Sequence, residues 1–375
     1  MLEISYGSVL SCIVFSDLLI IYLSTVSKQS DFILKHGINF IFISIILVGI
    51  RMLFPFNFGF TYSIYSTKIL TFFFDFINIP IFMGIPALKI LIAISGIGSI
   101  IKFILMIRHQ FYFYQYIYIY SHEKKNQLET MSSNITEFAW ENVKILYSSK
   151  ITSPCVMGLF HPIILLPDIE FESKELEFIL RHELEHLKHH DLWFQFFMEI
   201  LVCIYWMNPL IYLLRKRLKN VMELSNDLSI TKNMDENDKL NYLECLLKMA
   251  KNRSTIINMP SLCFLDSNHS LLKQRFQVII ERKKFHYRSI SNLIHIFVVF
   301  ATLFISVFIV AEPEYPSPTG TVGLEKEKTF FIKNGNAYDI YYNNEYFGPV
   351  DTLDSFSGYR IYQSKKEAIK YEKIN

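Results

Sequence analysis

A chain of 375 residues that is 51% hydrophobic and 16% aromatic, with 19% charged residues, has too little charge for an ordinary soluble two-domain enzyme. Its formal net charge of +2 gives no global case for direct nucleic-acid binding. The five cysteines, Cys12, Cys155, Cys203, Cys245 and Cys263, form no C-x-x-C pair, which argues against a disulfide framework or a thiolate metal site.

Four segments are apolar over the roughly 20 residues that a bilayer crossing requires. They cover about 8–26, 38–56, 87–107 and 293–310. The first has no basic leader or small-residue cleavage site and reads as a retained anchor. Arg51 falls near the outer end of the second and is expected to snorkel. Lys28 and Lys35 lie between spans one and two, Arg108 follows span three, and Arg282, Lys283, Lys284 and Arg288 precede span four. The positive-inside rule makes those flanks cytoplasmic. The N-terminus, the 57–86 loop and the tail after Val310 then lie outside a bacterial cell membrane, and the apolar run 69–83, broken by Pro80, lies in the outer interface. The expected division is an N-terminal membrane region (1–107), a cytoplasmic or membrane-associated domain (108–290), a fourth span (291–311) and an extracellular tail (312–375).

The aromatic run Phe111–Tyr120 reads as an interfacial belt. Residues 142–151 read as a strand, and 154–167 as two short strands around Gly158 and Pro162. An edge strand beside a peptidase site holds substrate backbone by strand addition, which makes Gly158, Phe160 and Pro162 candidate substrate contacts. An ordinary core hairpin fits the same pattern.

His182-Glu183-Leu184-Glu185-His186 reads H-E-x-x-H. On a helix, residues four apart share a face, so His182 and His186 can reach one ion. Glu183 sits beside His182 as a general base. Ser173 is the expected N-cap, and Leu176, Leu180, Leu184 and Leu187 form an apolar stripe facing away from the histidines. Residues 192–214 are apolar but interrupted at Asn208-Pro209, and they read as a buried or partly embedded helix pair. The next helical stretch, 215–232, carries Glu223 and Asp227 on one face. Zn²⁺ needs a third protein ligand, and Glu223 completes a His₂Glu set with a fourth position open. Asp227 is placed to take the free N–H of a histidine ligand and fix its orientation.

Beyond it come a polar turn at 233–238, a helix at 242–251, a loose stretch at 252–270 and a basic amphipathic helix at 271–284. In the tail, strands at 329–333 and 337–342 flank the turn signal Asn334-Gly335-Asn336, and 364–373 reads as a helix. The tail is either a small sensor domain or a cap without ligand. The whole reads as an α-helical integral membrane protein with an α+β zinc metallopeptidase domain and a small extracellular α+β or β-rich tail.

The ordered series of the 154–167 hairpin, His182–His186, Asp191, Trp206-Met207-Asn208-Pro209 and Glu223–Asp227 resembles the BlaR/MecR family of membrane zinc peptidases, the bacterial antirepressor signal transducers. The similarity covers roughly 1–311. It implies a gluzincin-like domain held between membrane helices and facing the cytoplasm. It also implies cleavage of a winged-helix transcriptional repressor and self-cleavage before the last span. Beta-lactam-sensing members carry a penicillin-binding domain with S-x-x-K after the last span; here about 65 residues follow it, too few for that domain. Ser121-His122-Glu123-Lys124 fits S-x-x-K but falls on the cytoplasmic side, so beta-lactam acylation is not expected. Membrane lipid is an implied neighbour, and a homodimer is compatible with the sequence.

Two other readings compete. A housekeeping membrane protease of the HtpX or prenyl-protein endopeptidase type also pairs H-E-x-x-H with E-x-x-x-D, but lacks the hairpin and the Asn-Pro element. A non-catalytic receptor with a sensing tail has no use for a complete zinc set. The sequence assigns no group to the oxyanion: His161, His189 and His190 are candidates, and each reads more readily as an ordinary surface histidine.

Overall fold

The computed structural model describes residues 5–66, 68–82, 84–122, 143–252, 269–281, 289–314, 324–326, 328–335, 337–350, 352–353, 356 and 358–371. Most of the loose stretch 252–270, together with Arg282, Lys283, Lys284 and Arg288, lies outside the described residues. The chain forms two compact units, Met1–Pro313 and Glu314–Asn375.

The first unit opens with α1 (Tyr6–Val26), α2 (Ser30–His36) and α3 (Ile38–Leu53). Gly37, at φ +82°, lets α2 and α3 meet at 96°, so the second expected span is one arm of a bent pair. Next come β1 (Tyr62–Ser66), α4 (Ile69–Ile77), β2 (Pro80–Phe82), β3 (Ile85–Pro86) and α5 (Ala87–Tyr120). The third expected span ended at residue 107. Instead α5 runs on through Arg108 and the aromatic belt for 34 residues. At 1.5 Å per residue that is about 51 Å, well beyond a hydrocarbon core of about 30 Å.

The unit continues with β4 (Lys144–Ser148), β5 (Cys155–Met157), β6 (Ile163–Pro167), α6 (Ser173–Lys188), α7 (Asp191–Ile204), α8 (Pro209–Ile230), α9 (Glu236–Asn252) and α10 (His269–Glu281). The unit closes with α11 (Ser289–Phe308) and β7 (Ile309–Pro313).

Among the described residues, α1 and the Ala87–Gln115 part of α5 are long and apolar enough to cross a bilayer, and the bent pair α2–α3 is a third candidate. The fourth expected segment is the 20-residue helix α11, which ends two residues before Val310, where Ile309 and Val310 turn into β7. That strand pairs in parallel with β1, Tyr62 opposite Ile309, which supplies backbone hydrogen bonds that a helix end lacks. Arg51 is also corrected. It does not snorkel but is buried, donating to Ser306 Oγ at 2.9 Å, the Ser306 carbonyl at 2.7 Å and the Phe54 carbonyl at 2.6 Å. Carbonyls at two helix ends thus satisfy a buried guanidinium that would otherwise be costly.

One apolar core joins Leu19 and Leu23 of α1, Ile41 and Ile45 of α3, Leu201 of α7 and Leu218 of α8. The corner between α7 and α8 sits against three membrane helices. Asn208 accepts from the Leu210 N–H at 2.9 Å, with Pro209 starting α8, and donates to Asp17 of α1 at 2.8 Å. Tyr205 donates to the Met52 carbonyl at 2.6 Å and Trp206 to the Ser95 carbonyl at 3.1 Å. Gly98 makes room for that indole: a Cβ there would lie 2.4 Å from its ring.

A second core packs the sheet, in strand order β4-β6-β5, on α6 and α9 through Tyr147, Ile164, Leu176, Leu180 and Tyr242. β6 is central, parallel to β4 and antiparallel to β5. The β5–β6 turn depends on Gly158, at φ +91°, where a Cβ would lie 2.3 Å from the His161 carbonyl oxygen. Gly158→Ala is therefore expected to destabilise the first unit by about 1–3 kcal/mol, the usual cost of a strained backbone position. An unchanged chemical-denaturation midpoint would refute this.

The second unit is a mixed sheet in the order β10 (Glu345–Val350), β9 (Ala337–Tyr342), β8 (Thr329–Asn334), β11 (Arg360–Tyr362). The expected β8–β9 hairpin turns at Gly335, at φ +64°. The terminal helix, α12 (Lys365–Tyr371), seats Ala368 against Phe330 and Tyr341.

Candidate metal centre

The helix that carries H-E-x-x-H is α6. Its cap lies one residue earlier than expected: Glu172 holds the N-cap position, its N–H bonding the Glu175 carboxylate at 3.3 Å, and Ser173 is the first helical residue. Leu176, Leu180 and Leu184 are buried, and Leu187 packs beside them. His182 and His186 project together, with ring centroids 5.0 Å apart.

Glu223, from α8, meets both rings. Its Oε2 lies 3.4 Å from His182 Nε2 and its Oε1 lies 3.9 Å from His186 Nε2. One ligand atom from each of the three residues lies within 4.8 Å of the others. Bonds of about 2.0–2.2 Å around a tetrahedral ion place ligand atoms about 3.3–3.6 Å apart, so the trio fits zinc once its ligand atoms draw together around the ion.

The far side of each ring fixes the near side. Tyr242 donates to Asp227 Oδ1 at 2.7 Å, so its oxygen is left to accept from His182 Nδ1, 3.0 Å away. His186 Nδ1 donates to Asp191 Oδ2 at 2.6 Å, a carboxylate that also accepts from Asn226 at 2.9 Å. Both imidazoles thus have Nδ1 held by a fixed partner and turn Nε2 toward Glu223, the arrangement that leaves Nε2 to a metal once it is deprotonated.

Asp227 does not act on a histidine directly. Its Oδ1 is 3.6 Å from His182 Nδ1, and the Tyr242 hydroxyl stands between them. Its strongest partner is Arg275 of α10, which bonds Oδ2 at 2.6 Å and Oδ1 at 2.7 Å and also reaches Glu223 Oε2 at 3.0 Å. Neither Tyr242 nor Arg275 had a signal in the sequence, since one sits in an apolar stripe and the other in an ordinary basic helix. Asp191 did have one: it follows His186 by five residues, close enough for the helix end to fold it back.

Glu183 is buried next to His182 and lines the cleft that holds the trio. The same cleft is bordered by Pro154, Cys155 and Val156 on one side and Gln195, Lys219 and Leu271 on the other. The candidate substrate contacts are corrected here. Gly158 and Pro162 flank the turn between β5 and β6, where the left-handed Gly158 ends one strand. Phe160 is 76% exposed and packs edge-on against Trp193, 5.4 Å away, rather than lining the cleft. The edge strand at the cleft is β5 itself. Among the described residues, none of His161, His189 and His190 lines the cleft; His189 is engaged by Asn226 Oδ1 at 2.6 Å.

Charge at the centre is strongly coupled. Burial by itself would lower the His186 pKa. The bond to Asp191 and the nearby carboxylates of Glu223 and Glu183 outweigh it and raise it to about 9. Burial would likewise raise Glu223, but Arg275 and the two imidazoles hold it well below the usual carboxylate range. His186 is therefore protonated at neutral pH until a metal competes for Nε2. Zinc uptake at pH 7 is expected to displace about one proton from His186, and apparent affinity is expected to rise about tenfold per pH unit up to about 9. Calorimetric titration in two buffers of different ionisation heat checks this; identical heats in both would contradict it.

Comparison with known proteins agrees with this geometry. The family described as BlaR1 peptidase M56 matches residues 78–279, more than half of the chain. The chain is 28% identical to the regulatory protein BlaR1 of Bacillus licheniformis over 240 residues, 58% of this chain and 40% of that protein. It is 33% identical to the methicillin resistance mecR1 protein of Staphylococcus aureus over 146 residues, 38% of this chain and 25% of that protein. The BlaR1 regulatory protein of Staphylococcus aureus is 26% identical over 218 residues, 55% and 35% of the two chains. The chain thus spans between a quarter and two-fifths of the length of these relatives. A membrane protein with two or three candidate spans, whose matched stretch includes the His182–His186 helix and Glu223, belongs to the BlaR1/MecR1 family of M56 metallopeptidases.

Proposed function

We propose that this chain is a zinc metalloendopeptidase of the gluzincin type that works at the cytoplasmic face of a bacterial membrane. It relays a signal by cutting a winged-helix transcriptional repressor, with its own chain as a second substrate. The observation that carries the reading is the convergence of two Nε2 atoms and the Glu223 carboxylate, with each Nδ1 already committed to a fixed partner. His182, His186 and Glu223 hold the ion. Zinc held there supplies Lewis acidity, which makes water a nucleophile near neutral pH and polarises a carbonyl.

The chain's own groups do the rest. Glu183 takes a proton from the attacking water and passes it to the leaving nitrogen as the C–N bond breaks, leaving a carboxylate and an amine. Asp191 keeps His186 in its ligand tautomer, and Tyr242 does the same for His182. Substrate backbone lies along β5, the outer strand of the sheet among the described residues, which borders the cleft at Cys155 and Val156.

The placement rests on charge and apolar surface. Lys28 and Lys35 flank the inner end of α1, and Arg108 follows the apolar part of α5. Leu91, Ile94, Ile97, Ile101 and Ile104 of α5 are exposed, as a lipid-facing helix requires. In this orientation the N-terminus and the second unit lie outside. Mass spectrometry of new protein N-termini in cells making the chain, or its Glu183→Gln variant, tests the reading. A repressor-derived cut confined to the unsubstituted chain supports it. Cuts in many unrelated membrane proteins would point to a housekeeping protease instead.

A further inference from the structure

α10 makes two buried polar contacts through consecutive residues, and they lead to different parts of the molecule. Gln274 Nε2 donates to the Ser27 carbonyl at 2.8 Å, at the end of α1. Arg275 reaches the metal centre. Its Nη1 lies 3.0 Å from Glu223 Oε2, and its Nε and Nη2 bond the two Asp227 oxygens at 2.6 and 2.7 Å. Asp227 then accepts from Tyr242, which accepts from His182. One guanidinium therefore touches one ligand directly and a second through a chain of three hydrogen bonds.

The geometry sets how Glu223 is presented. A planar fork on Asp227 fixes the guanidinium plane, which a point-charge ammonium does not do. With that plane fixed, Nη1 holds Oε2 and leaves Oε1 facing His186 Nε2 at 3.9 Å. A carboxylate free to rotate would offer both oxygens, or neither, to an ion. Gln274 and Arg275 are each less than one-tenth exposed, so neither contact is exchanged easily for water.

We propose that Arg275 is a positioning residue of the metal centre and that Gln274, through Ser27, ties its position to the inner end of α1. The inference rests on the proposed His182, His186 and Glu223 site. A shift of α1 against α8 is then felt at Glu223 through two adjacent side chains, which gives the membrane bundle a route to the centre without contact with substrate.

Cobalt(II) is the probe, because its visible absorption reports coordination geometry at a site built for zinc. The full-length protein in detergent is titrated with Co²⁺ as wild type and as Arg275→Ala, Arg275→Lys and Gln274→Leu. Arg275→Ala is expected to weaken Co²⁺ binding by about 10- to 100-fold and to change the absorption band. Arg275→Lys keeps the charge and guards against a misfolded alanine variant; it is expected to recover part of the affinity but not the band. Gln274→Leu, which lies outside the cleft lining, is expected to change the band in the same direction. A lysine variant with wild-type affinity and band overturns the positioning role. A normal band in Gln274→Leu overturns the tie to α1. Wild type that binds no Co²⁺ would instead overturn the metal site itself.

Discussion

Glu183→Gln is expected to slow peptide-bond cleavage by about 10²- to 10⁴-fold, the range general acid–base groups contribute, while the protein keeps its zinc. The argument is geometric. Glu183 lines the cleft one residue from His182, and the ligand trio is complete without it. The amide preserves shape and can hydrogen-bond, but it cannot take a proton from water at neutral pH. Cleavage of a fluorogenic peptide by purified protein, measured beside its metal content, reads both halves. Near-normal turnover in the variant would remove Glu183 from the chemistry. Loss of zinc together with turnover would make Glu183 a structural or ligand group.

His186→Ala is expected to cost both. Structural four-ligand zinc sites bind with about 10–16 kcal/mol, so one ligand in four carries about 2.5–4 kcal/mol, or about 10²- to 10³-fold in affinity. The loss also strands Asp191, which is 2% exposed and pairs with His186 at 2.6 Å, leaving Asn226 as its remaining partner in that network. Destabilisation should therefore accompany the metal loss, and added zinc at high concentration should restore little activity. A variant that binds zinc as the wild type does would mean that the ion sits elsewhere. The two substitutions are adjacent in function yet opposite in their effect on metal, and that contrast separates base from ligand.

Much of the site was readable because its elements are local. The four-residue spacing of His182 and His186 places both on one helix face whatever the rest of the fold does. The Asn208-Pro209 break announces itself by the cap chemistry of asparagine and the missing N–H of proline. Gly158 and Pro162 mark the β5–β6 turn for similar reasons, and that places them beside the turn rather than in the strand that borders the cleft. The groups that hold the histidines in place were harder to see. Tyr242 and Arg275 come from α9 and α10, and only the tertiary fold brings them to α6 and α8. Asp227 does lie near His182, but it reaches that ring through a tyrosine that nothing local distinguishes.

The membrane part shows the same division. Hydropathy located the apolar runs, yet it does not register where a helix ends. β7 exists because β1 lies beside it, so Ile309 and Val310 pair as strand where composition alone extends the helix. Gly37 breaks α2 from α3 through a backbone angle that a hydropathy window averages away. Arg51 looked like a residue at a water boundary; the carbonyls of Phe54 and Ser306 give it an inward solution.

Zinc-edge X-ray absorption of the purified Glu183→Gln protein tests the central claim most directly, since that variant is expected to retain metal without digesting itself. The account predicts about one zinc per chain, with two imidazole nitrogens at about 2.0–2.1 Å and carboxylate or water oxygen at about 2.0–2.2 Å. A sulfur ligand at about 2.3 Å, a shell without imidazole, or an unchanged spectrum in His186→Ala would contradict it.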